Sequence, residues 1–154
     1  MPGHWEGDLI IGKGSLTAIG TLVERATGYT MLMYLPDGYK AEQVRDALAA
    51  KIQTLPAQLR ASLTWDQGPE TRDWNRVSID ADIDIYFCDP YAPWQRATNE
   101  NTDGLLRQYF PKGTDLSIHS VAELDAVAAE LNDRPRKRLA FAKPIEELGP
   151  PLLR

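Results

Sequence analysis

The apolar positions fall into two rhythms, and the first third of the chain carries the two-residue one. Residues 4–12 (HWEGDLIIG) read as a strand, whose alternation puts His4, Glu6, Asp8 and Ile10 on one face and Trp5, Leu9 and Ile11 on the other. A turn at Gly12-Lys13-Gly14-Ser15 leads to a second strand over 16–24 (LTAIGTLVE). A turn at Arg25-Ala26-Thr27-Gly28 leads to a third over 29–35 (YTMLMYL). Connections this short, each bearing glycine, predict an antiparallel meander.

Pro36-Asp37-Gly38 ends that rhythm, and a helical one replaces it. Val44, Leu48, Ile52 and Leu55 recur at helix spacing over 40–55, where Pro56 closes the run. ASLTW (61–65) is a short strand stopping at Asp66-Gln67-Gly68-Pro69. Residues 70–78 are a candidate brief helix, and IDIYF (83–87) is a further strand, β-branched and aromatic. After a loop with Pro90, Tyr91, Pro93 and Trp94, a helix capped by Thr98 or Asn99 runs to Phe110, before Pro111. A last helix opens on a capping box from Ser120 to Glu123, shows a stripe of Val121, Leu124, Val127, Ala128 and Leu131, and ends at Asn132-Asp133-Arg134-Pro135. There is no internal repeat. The order predicts an α/β domain with a five-stranded mixed sheet: three antiparallel strands, then two that need helical crossovers and so run parallel.

Composition narrows the class. A chain of 154 residues, 43% hydrophobic and 25% charged, suits one soluble globular domain spanning 1–154 rather than a disordered or membrane-embedded one. No apolar run approaches the roughly 18 residues of a membrane span, and the start lacks the build of a signal peptide. The one cysteine, Cys88, excludes an internal disulfide and fits a reducing cytoplasm, with the thiol read as a small buried apolar group.

Three acids stand out by position. Asp8 sits well inside a strand expected to be central, where a carboxylate is costly unless paired or metal-bound; a solvated sheet edge is the competing reading. Asp66 closes the fourth strand, at the end of an open α/β sheet where ligands bind, although a turn aspartate before glycine is common. Glu100 lies in the first turn of the helix beginning near Thr98, with Gly104 and Arg107 on the same face; a first-turn glutamate also simply complements the helix dipole. Each falls where a different element would deliver it to one sheet edge. Clustered carboxylates repel until a cation binds, and hard oxygen ligands of this kind suit Mg²⁺ or Mn²⁺. Asp103 is read as a surface residue, and Glu6 is the acid most easily mistaken for Asp8.

The strings GHWEGDL, LTWDQG, YFCDPYAPWQRATNENTDGLLRQYFPKGTDL and ELNDRPRKRL resemble the catalytic core of the IS-thirty family of bacterial insertion-sequence transposases, within the DDE group that includes retroviral integrases. The similarity runs from His4 to about Leu148, and residues 86–116 are its most specific block. Ala97 stands where the family string carries glycine, and Pro69-Glu70-Thr71-Arg72 depart from the usual run. The resemblance implies a ribonuclease-H-like fold and a triad of Asp8, Asp66 and Glu100 holding two Mg²⁺ or Mn²⁺ ions. It also implies cleavage of one strand at transposon ends and attack of the freed 3′-hydroxyl on target DNA. A dimer in the bacterial cytoplasm is expected, because two ends must be brought together. The family's N-terminal helix-turn-helix region has no counterpart before the first strand, so the chain reads as a fragment.

A net charge of −5 is unusual for a protein acting on DNA. Acids gathered in a metal site, where bound ions reverse the local sign, account for part of it; a separate DNA-binding module accounts for more. Trp94 and Arg96, before Glu100, are candidates for base stacking and phosphate contact, with local packing as the alternative for Trp94. Arg107 is a further phosphate candidate. Arg134, Arg136 and Lys137, with Arg138, form the one dense basic run and read as a DNA-facing strip over a merely solvated one. His4 and His119 are read as structural and surface residues. Two other functions remain open: a metal-dependent nuclease of the ribonuclease-H type, and an inactive remnant that only oligomerises.

Overall fold

β1 (His4–Ile11) lies at the centre of a five-stranded sheet ordered β3-β2-β1-β4-β5. The computed structural model describes residues 2–66, 83–88, 97–135, 143–144 and 146–147, with the backbone alone for 66, 87–88 and 97–101. β2 (Ala18–Glu24) pairs antiparallel with β1, and β3 (Thr30–Met33) antiparallel with β2. β4 (Ser62–Asp66) and β5 (Asp84–Cys88) continue the sheet in parallel, β4 against β1 and β5 against β4. The expected division into a meander and a parallel pair is the observed one.

Alternation along β1 sorts two cores. Trp5 joins Leu22, Met33, Leu63 and Trp65 under α1 (Ala41–Gln53), which contributes Val44, Leu48 and Ile52; Leu9 and Ile11 pack against this cluster. Ile10 points the other way, to Ile19, Leu32, Leu106, Phe110, Leu116, Leu124 and Leu131. That second layer is built by α2 (Ala97–Leu106), which packs on β1 and β2, and α3 (Val121–Asn132), which packs on β3.

The boundaries shift for local reasons. β2 and β3 are shorter than their apolar runs, and β5 starts one residue later than expected, at Asp84. α2 begins at Ala97, ahead of both expected caps, and ends at Leu106 instead of Phe110. Beyond it the chain tightens into i→i+3 bonds, Gln108 N–H to Leu105 O at 3.1 Å and Tyr109 N–H to Leu106 O at 2.9 Å. The capping box on α3 forms as read: Ser120 Oγ accepts from Glu123 N at 3.1 Å. The candidate helix at 70–78 lies outside the described residues, and so does the side chain of Cys88.

Asn132, the last residue of α3, closes the outer edge of the sheet. Its Oδ1 accepts from Thr30 N at 2.7 Å and its Nδ2 donates to Thr30 O at 2.8 Å, as a neighbouring strand would. Among the described residues no helix is long and apolar enough to cross a membrane.

Candidate active site

The parallel pairing of β1 and β4 decides where two of the three acids lie. His4 is level with Ser62, Trp5 with Leu63 and Glu6 with Thr64, and His4 Nδ1 meets Ser62 Oγ at 2.7 Å. The paired stretch ends there; the same register carried two residues on would bring Asp8 level with Asp66, on neighbouring central strands and toward their C-terminal ends. Asp8 is half-buried, and its Oδ1 accepts from Leu9 N at 2.8 Å, which steers the carboxylate. Thr21, its partner across β2, donates from Oγ1 to the Asp8 carbonyl at 3.3 Å. The expected position inside the sheet is therefore the observed one, and the solvated edge is not.

Glu100 belongs to the first turn of α2, the helix packed on β1 and β2. Arg107, seven residues on and just past the end of that helix, ties it down. Its Nη2 donates to Ile11 O at 3.2 Å, at the end of β1, and its Nη1 to Phe110 O at 3.3 Å, beyond the helix end. Gly104, four residues after Glu100, is exposed, with open space where a Cβ would stand. Asp103, read as a surface residue, is half-buried instead. Among the described residues no group of three metal-ligating side chains is assembled; the side chains of Asp66 and Glu100 lie outside them.

Glu6 shares a face with Asp8 but differs from it. It is 1% exposed and pairs with Arg25, Nε to Oε2 at 3.7 Å. Arg134 is half-buried, bonded to Tyr109 Oη at 2.5 Å, stacked 5.6 Å from that ring's centre and 3.8 Å from Glu130. Burial raises the pKa of Tyr109, with the carboxylate of Glu130 adding to the effect. His119 packs edge-on to Phe110 and bonds Glu123 at 3.0 Å. Trp94, Arg96, Arg136 and Lys137 lie outside the described residues.

Gly7, next to Asp8, went unmarked in the sequence, and Gly12 was read only as part of a turn. A Cβ on Gly7 would stand 2.0 Å from Trp65 Cε3, so the indole lies directly on the β1 backbone. Gly12 is similarly hemmed by Thr17 Oγ1, Thr114 O and Leu116 Cγ, which seats the 111–116 segment on the β1–β2 hairpin. The adjacent pairs Gly7-Asp8 and Trp65-Asp66 are the signal that could have found the first contact.

A mixed sheet in this order, two antiparallel pairings followed by two parallel ones with helices packed on it, is that of a ribonuclease-H-like integrase core. Solved structures agree on the fold. The catalytic core domain of BIV integrase aligns with a TM-score of 0.66 at 19% identity, covering 96% of this chain and 93% of that one. A chain from the structure of a simian T-cell lymphotropic virus intasome in complex with PP2A regulatory subunit B56 gamma aligns with a TM-score of 0.64 at 19% identity, over 86% of this chain and 49% of that one. The chain belongs to the integrase core domain family, whose model matches residues 1–93, and its relatives place it with the IS30-type transposase cores. It is 51% identical to the transposase of insertion sequence element IS1086 of Cupriavidus metallidurans, over 97% of this chain and 44% of that protein. It is 50% identical to transposase InsI of IS30C of Escherichia coli, over 94% of this chain and 37% of that protein. The chain thus spans less than half the length of these curated relatives.

Proposed function

We propose that this chain, taken as one catalytic domain, is the DNA-cleaving and strand-joining core of a DDE transposase, with Asp8, Asp66 and Glu100 as its metal ligands. The observation that supports the reading is the parallel β1–β4 pairing from His4–Ser62 to Glu6–Thr64, which, continued two residues, would set two aspartates level on adjacent strands. Two carboxylates so placed repel, and a divalent cation relieves that repulsion with the hard oxygen donors it prefers. The donor set therefore fits Mg²⁺ or Mn²⁺. For Glu100, the reading takes α2 to run alongside β1 in the same direction. Seven residues of helix span about 10 Å, and three residues of strand, from Ile11 back to Asp8, span about 10 Å as well. On that reading the Arg107–Ile11 bond would hold Glu100 near the level of Asp8.

Two bound ions would supply Lewis-acid activation of the attacking oxygen and stabilisation of the departing one. The chain's own part is to hold the acids at a fixed spacing. Asp8 is steered by the Leu9 amide, and Arg107 pins the helix that carries Glu100. The exposed face around Gly104 leaves room for a DNA backbone. Trp94, Arg96, Arg136 and Lys137 are the proposed DNA contacts, joined by Arg107 and Arg134, whose guanidinia also hold intramolecular bonds. Transposon ends and target DNA are the proposed substrates, acted on by a dimer.

Glu100→Gln tests the assignment in the full-length transposase. The variant is expected to keep its circular dichroism spectrum and lose both 3′-end cleavage and joining. Joining at the wild-type rate refutes the triad. Nicked products without any joined product, from the wild type, favour a plain nuclease.

A further inference from the structure

We propose that the contact between Gly7 and Trp65 is a positioning device that sets the level of Asp8 against Asp66 and thereby governs affinity for a divalent cation; this rests on the acid-site reading above. Gly7 immediately precedes Asp8, and Trp65 immediately precedes Asp66. Gly7 and Trp65 follow directly on the last β1–β4 pair, Glu6 with Thr64, and lie against each other. A Cβ at Gly7 would meet two atoms of the indole, Cε3 at 2.0 Å and Cζ3 at 2.2 Å. The obstacle is a rigid ring rather than the end of a flexible chain. That ring is only 1% exposed, inside the core beneath α1, so it has no free space to enter.

The consequence follows from the two-residue period of strands. A one-residue slip of β4 along β1 would set the indole against Glu6 or Asp8, whose side chains belong to the opposite face. Gly7 is thus the one position on this stretch of β1 where the ring fits. A second tie, Trp5 Nε1 to Leu59 O at 2.8 Å, anchors β1 to the segment entering β4 but lies farther from the acids. The Gly7–Trp65 contact is the last fixed point before both carboxylates. An error there is passed directly to their separation, which a cation reads through its ligand distances.

The test is a double-mutant cycle on this chain with Mn²⁺ alone as probe, using calorimetric titration and metal-free thermal melts. Gly7→Ala is expected to weaken Mn²⁺ binding by about tenfold or more, as loss of a ligand-orienting contact does. Gly7→Ala/Trp65→Leu is expected to bind no worse than Trp65→Leu alone, because the clash has been removed. Leu48→Ala, in the same core but on α1, serves as the stability control: it lowers the metal-free melting temperature and leaves Mn²⁺ affinity unchanged. Wild-type affinity in Gly7→Ala, purely additive losses in the double variant, or an equal loss in Leu48→Ala each overturns the proposal. If Gly7→Ala does not fold, Trp65→Leu decides, by weakening Mn²⁺ binding beyond Leu48→Ala or failing to. Should the wild type and Asp8→Asn bind Mn²⁺ alike, the acid-site reading falls and takes this inference with it; wild-type binding lost in Asp8→Asn but kept in Gly7→Ala sinks the inference alone.

Discussion

Asn132 shows how much one side chain can do at a sheet margin. Its amide satisfies both backbone groups of Thr30, and both residues are buried. Asn132→Ala leaves a buried N–H and C=O without these partners, and is expected to cost about 1–3 kcal/mol in urea denaturation, because unsatisfied buried groups lose their full solvation. Ser120→Ala, which removes the cap on Glu123 N, is expected to cost about 1 kcal/mol. The neighbouring Glu123 carries a pH signature. Its hydrogen bond with His119, helped by that ring's charge and by the Ser120 amide, draws its carboxyl below the ordinary 4.5. A depressed carboxylate stabilises the fold above its unfolded value and ceases to do so as pH falls through the folded one. The melting temperature of Glu123→Gln should therefore lie below wild type at neutral pH and converge with it in acid. A gap that persists in acid would assign the effect to packing instead.

The elements themselves were largely legible, because each rests on local periodicity: the two-residue alternation of β1, the helical stripe of α1 and the Ser120 box all appear where the sequence puts them. Their ends were less so. α2 stops at Leu106, short of Phe110, where the backbone tightens, and just past its end Arg107 reaches across to the carbonyl of Ile11, 96 residues earlier in the chain. No periodicity carries such a partner. The same holds for Gly7 with Trp65, and for Asn132 with Thr30, 102 residues apart. The acids were legible as strand and helix-start oddities; that β1 and β4 are parallel neighbours in a register leading toward Asp8 and Asp66 required the structure. At this scale Arg107 offers a discriminating experiment. Arg107→Ala is expected to lower stability by about 2 kcal/mol, with Arg107→Lys rescuing little because an ammonium cannot reproduce the guanidinium fork. If phosphate contact were its main part, the substitution would instead flatten the salt dependence of DNA binding and leave the melting temperature in place.

For the molecule as a whole, the proposed metal site predicts linkage between cation and fold. A ligand bound only by the folded state stabilises it by about 2.7 kcal/mol at a hundredfold excess over its Kd. Mn²⁺ should accordingly raise the melting temperature in a concentration-dependent way, and Asp8→Asn should remove that rise; an unchanged rise in the variant would locate the cation elsewhere. The sheet that bears the site also has an open flank at β3, and there the Asn132 amide takes on a second meaning. By occupying the hydrogen-bonding places of Thr30, it leaves an incoming foreign strand nothing to pair with at that point. A carboxamide at a helix terminus thus acts as a stopper, keeping the sheet from being extended by another polypeptide and so guarding the fold against polymerising along its own edge.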